Sequence, residues 1–132
     1  MSEIKVTYLG DLRTEALHID SNSIIITDAP KDNQGLGKKF SPTDLVASSL
    51  GSCLLTIMGI VAKRHCINLN DSYAKITKHM SENPRRISSI IVDIYLKSVL
   101  NEQQIKILKQ AAKHCPVHNS LNNNIDIQIN FN

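Results

Sequence analysis

Between Leu45 and Ala62 the chain is apolar on nearly every side of a helix, and a helix of that kind must be enclosed. Val46, Leu50, Cys53, Leu54, Ile57, Met58 and Val61 recur at spacings of three and four, while Leu45, Leu55 and Ile60 make the opposite side apolar as well. Ser41-Pro42-Thr43-Asp44 supplies the start. Ser41 is the expected N-cap, Pro42 fits the first turn, and Asp44 can face the free N–H groups. Lys63-Arg64-His65 complements the negative end of the helix dipole. The small residues Ala47, Ser48, Ser49, Gly51, Ser52 and Gly59 let another helix approach closely. Such a run raises the question of a membrane span, but Ser48, Ser49, Ser52, Thr56 and two glycines interrupt it, so it reads as a buried core helix with no membrane partner.

The rest of the chain must cover that helix. Ile4, Val6 and Tyr8 alternate with polar residues, and the runs 16–19 and 24–27 flank Asp20-Ser21-Asn22, which predicts an N-terminal antiparallel meander. Residues 28–40 carry Pro, Asn and two Gly without periodicity and read as a lid-like loop at the edge of a site. Strands are expected over 72–80 and 86–98, the second with Ile90, Val92, Ile94 and Leu96 on one face. Asn101 with Gln104 resembles a capping box for a helix through Lys113. Strict alternation of Ile125, Ile127, Ile129 and Phe131 with polar residues closes the chain as a strand. The order β-β-β, helix, β-β, helix, β indicates one α+β domain over residues 1–132, with antiparallel sheets. Six short strands and one further helix are too little cover for the central helix, and an intertwined dimer would supply the rest.

Composition narrows the function. A net charge of +3, scattered basic residues, no Trp and 4% aromatics leave neither the basic stripe nor the stacking platform of a nucleic-acid binder. Met-Ser-Glu-Ile-Lys-Val has no signal-peptide pattern, so a reducing cytoplasm is the expectation. There, three cysteines are core residues, metal ligands or transient redox groups rather than permanent staples. Cys115, in His114-Cys115-Pro116-Val117-His118, sits before a proline that suits a first helical turn. It is a candidate N-cap whose thiolate the helix start would favour. Cys53 lies mid-helix, where desolvation alone leaves a thiol inert unless a cation such as an arginine stands beside it. Both admit a bland reading as buried apolar residues, and Cys66, beside His65, reads as a structural thiol. His114, Cys115 and His118, with His65 and Cys66, are zinc-capable but lack strong ligand spacing, so no metal is expected.

Ser41 through Cys53, followed by His114-Cys115-Pro116-Val117-His118, resembles the OsmC/Ohr family of thiol-dependent hydroperoxide reductases, in a branch with a Cys-Pro-Val-His segment. Tyr8 to Arg13, Thr27-Asp28-Ala29-Pro30 and the loop to Phe40 also fit. The resemblance implies an OsmC-like fold in a domain-swapped homodimer, with Cys53 as the peroxidatic cysteine, Cys115 as the resolving one and Arg13 holding the thiolate. It further implies reduction of organic hydroperoxides in oxidative stress defence, without a cofactor, at the expense of a dithiol reductant, lipoyl or thioredoxin-like. Phe40, Leu50 and Ile57 are the expected apolar substrate contacts. One residue departs from the pattern: where the family carries a carboxylate to pair with the arginine this chain has Thr43, and the acid is Asp44. The reading from a different class is a non-catalytic dimeric binding protein for a small apolar ligand.

Overall fold

A computed structural model describes residues 1–132 and divides into two compact units, Met1–Val46 and Ala47–Asn132. The first unit is the predicted meander. Strands β1 (Ile4–Gly10), β2 (Arg13–His18) and β3 (Ser23–Asp28) pair antiparallel in that order. Asp11 and Leu12 turn β1 into β2 with φ of 53° and 60°, the left-handed pair that a tight hairpin needs, and the Leu12 N–H rests on the Tyr8 hydroxyl at 3.3 Å. The loop after β3 is less lid-like than its sequence suggests. It is tied to its own ends: the Asp28 N–H donates to the Phe40 carbonyl at 3.1 Å, Gly35 N–H to Pro30 at 2.9 Å, and Thr27 bridges Phe40. Gly35 is required here, because a Cβ would collide with the Ala29 carbonyl.

Helix α1 (Pro42–Arg64) begins on a capping box with Asp44 in the acidic role. Ser41 N–H donates to Asp44 Oδ2 at 2.9 Å, and Asp44 N–H donates to Ser41 Oγ at 3.1 Å. In the second unit α1 buries Leu50, Leu54, Met58 and Ala62, residues four apart on one stripe, and Ile90, Val92, Ile94 and Leu108 are fully buried in the same unit. β5 (Arg86–Tyr95) lies between β4 (Tyr73–Ser81) and β6 (Asp126–Phe131), and α2 (Glu102–Ala112) and α3 (Pro116–Ser120) carry the chain from β5 to β6. The sheet is therefore mixed. β4 runs antiparallel to β5, but β6 runs parallel to it, with Val92 opposite Ile129, because a two-helix crossover returns the chain to the end where β5 began. β5 ends at Tyr95, so Leu96 falls outside the predicted face; α2 ends at Ala112 and starts on the expected Asn101–Gln104 capping box.

The single chain does not enclose α1. By length and composition the helix is long and apolar enough to cross a membrane, yet only 33% of its most apolar window is buried. Ile60 is 46% exposed, and Leu55, Ile57 and Val61 are half-buried.

Candidate functional site

Two clusters of candidate residues are present, one in each unit. In the second unit Cys115 caps α3: its φ of −65° and ψ of 114° are extended, Pro116 holds the first turn, and Sγ accepts the His118 N–H at 3.5 Å. Its side chain is fully buried, and it feels the thiol of Cys53, which α1 presents half-buried from its middle. Both thiols are free. The expected activation of Cys115 is not what this environment produces. Burial pushes its thiol above the ordinary cysteine value; the His118 and Val117 N–H groups pull the other way without overcoming it, and Cys53 pushes it further up. Desolvation outweighs the cap because α3 has only five residues and the sulfur has no exposed surface. Cys115 is thus held as a neutral thiol.

In the first unit Arg13 and Asp28 face each other across β2 and β3, in register. Nε meets Oδ1 at 2.6 Å and Nη2 meets Oδ2 at 3.3 Å, a two-point pairing. Asp28 is 1% exposed and also receives the Lys38 N–H at 3.0 Å. The Arg13 guanidinium holds its carboxyl below the usual carboxylate range, and Asp28 in turn raises Arg13. The carboxylate that steadies the arginine is therefore Asp28, while Asp44, the sequence candidate for a site role, is a partner in the α1 capping box. Asp28 is not among the site residues expected from the sequence; the signal that finds it is the hairpin register, which sets it opposite Arg13. A cleft of about 420 Å³ opens beside Arg13, between Asp11, Leu12, Gln34 and Leu36.

The three apolar candidates separate. Leu50 has no exposed surface and belongs to the core stripe of α1, so it has none to offer a ligand in the single chain. Phe40 is 56% exposed in the first unit, and Ile57 is half-buried on α1. Cys66 is not a packed structural thiol: it is exposed, in the left-handed position (φ 54°) that ends α1. His65, Cys66, His114, Cys115 and His118 form no group of three metal-capable side chains.

The sequence model of the family described as OsmC-like protein matches residues 35–130. No curated protein matches the chain. Among solved structures, a Psychrobacter arcticus protein, described provisionally as an osmotic stress induced and detoxification response protein, is 46% identical over 100% of this chain and 96% of its own, with a TM-score of 0.96. An OsmC-like protein from Mycoplasma pneumoniae is 24% identical over 100% of this chain and 96% of its own, at a TM-score of 0.84. A Legionella pneumophila organic hydroperoxide resistance protein, 16% identical over 99% of this chain and 96% of its own, superposes at 0.79. These last two share the fold; the family match, covering most of the sequence, and the 46% identical relative go further, and on them the chain belongs to the OsmC-like protein family.

Proposed function

We propose that the protein is a thiol peroxidase that reduces organic hydroperoxides to alcohols, acting as a cytoplasmic homodimer of single OsmC-like domains. The Cys53 thiolate attacks the terminal peroxide oxygen. An S–O bond forms as the O–O bond breaks, and the leaving alkoxide takes a proton to become the alcohol. Arg13, kept charged and oriented by Asp28, has the cation's part, stabilising first the thiolate and then the alkoxide. The Cys115 sulfur then attacks the Cys53 sulfenic acid; a disulfide forms and water leaves, carrying the thiol proton. A dithiol reductant, lipoyl or thioredoxin-like, restores both thiols by exchange and is itself oxidised to a disulfide. Phe40 and Ile57, which keep accessible surface, are the apolar contacts that favour an organic peroxide over hydrogen peroxide.

One observation supports this reading: Cys53 and Cys115, far apart in sequence, stand close enough in the fold for the Cys53 thiol to raise the Cys115 pKa. Two merely structural cysteines have no need to meet. The direct test is peptide mass spectrometry after a stoichiometric dose of cumene hydroperoxide. A Cys53–Cys115 disulfide is expected in the wild type, and Cys115→Ser should stop at a Cys53 sulfenic acid. Two free thiols after exposure, with no peroxide consumed, would overturn the peroxidase. Retention of an apolar ligand under the same conditions would favour the non-catalytic binding protein.

A further inference from the structure

A second concavity lies between α2 and β6, with a volume of about 510 Å³. Its size is within the roughly 300–1,000 Å³ typical of small-molecule sites. The floor is apolar, made by Ala112, Ile129 and Phe131, and the rim is basic, with Lys109, Lys113 and His118. Lys109 Nζ stands 5.5 Å over the Phe131 ring, which fixes a cation at the mouth directly above the aromatic floor. No carboxylate pairs with either lysine. The acids on neighbouring strand positions are otherwise engaged: Asp126 accepts from the Gln128 side chain, and Asp93 accepts from Asn130 Nδ2.

We infer that this cleft binds an amphipathic organic anion, its apolar tail on Ile129 and Phe131 and its carboxylate between Lys109, Lys113 and His118. Apolar floor and uncompensated cationic rim complement such a molecule at both ends, whereas a neutral alcohol satisfies only the floor and a small anion only the rim. α3, whose cap is Cys115, also supplies the His118 side of the cleft, so the occupant sits against the helix that holds that sulfur. The inference is independent of the thiol chemistry.

Decanoate is the probe, titrated calorimetrically into the full-length protein beside decanol and acetate. Decanoate should bind more tightly than either. Lys109 and Lys113 are exposed, so Lys109→Gln with Lys113→Gln leaves the fold intact, and it should weaken decanoate by about fivefold or more, since two exposed charge contacts contribute roughly 1 kcal/mol together. Cys53→Ser should leave the affinity unchanged, which separates this site from the peroxidase reading. Amide NMR shifts should map to Lys109, Lys113, His118 and Phe131. Absence of decanoate binding, equal binding of decanol, or affinity untouched by the double lysine change would each overturn the proposal.

Discussion

At the scale of single residues, Cys115 combines two opposing influences: two backbone N–H groups that favour its thiolate and complete burial that favours its thiol, and burial prevails. A thiol pushed up in the fold binds its proton more tightly there than in the unfolded chain. Its contribution to stability is therefore fully present below the ordinary thiol pKa of about 8.5 and is lost as pH rises through the raised folded value. Urea denaturation between neutral and strongly alkaline pH should show the wild type losing stability faster than Cys115→Ser, which keeps a capping oxygen and cannot ionise in that range; parallel curves would show that Cys115 does not hold its proton. The cap itself was legible, because Cys-Pro after a helical stretch has few other uses. The depth of burial was not, since it is set by what packs over the sulfur from α1, remote in sequence. Arg13 is singled out by resemblance alone, and its ion-pair partner Asp28 depends on a strand register that composition does not encode.

At the scale of elements, α1 fits against the β4–β5 sheet by leaving a side chain out. A Cβ on Gly51 would meet Ile76 Cδ1 at 2.5 Å and Cγ1 at 3.1 Å, so β4 and the helix are already as close as a glycine allows. Replacement by alanine gains up to about 1 kcal/mol of helix propensity against displacement of the flexible end of Ile76, and the two nearly offset. Gly51→Val adds bulk that cannot be swung aside and should cost about 1–3 kcal/mol by overpacking. Chemical denaturation checks this, and Ile76→Ala in the same chain should recover much of the loss; a Gly51→Val protein as stable as the wild type would mean the contact is loose. Periodicity located every strand and both long helices, because alternation and the three-four spacing survive in a single sequence. It did not disclose that β6 runs parallel to β5: the apolar face of a strand reads the same in either direction, and only the crossover through α2 and α3 settles the direction.

For the whole molecule, the chain leaves apolar surface uncovered in each unit: Ile4, Val6, Tyr8 and Ile25 on one face of the β1–β3 sheet, and Ile60 on α1. Surface of this kind suits an interface, in line with the expectation from the sequence that one chain has too little material to wrap α1. Analytical ultracentrifugation should find the wild type at twice the chain mass, and Ile60→Glu, which sets a charge on the open side of the helix, should shift it toward the monomer while the far-ultraviolet circular dichroism stays helical. A wild type that sediments as a monomer would refute the dimer. Electrostatics at this scale is muted: a net charge of +3 is spread over 132 residues. Arg13 and Asp28 cancel within a single bond length or two of one another. An uncharged molecule approaching that cleft is drawn by no long-range field, and an anion has little advantage over it, so encounter rates there should barely respond to added salt. Discrimination then begins only on touching, where shape and greasiness decide what stays.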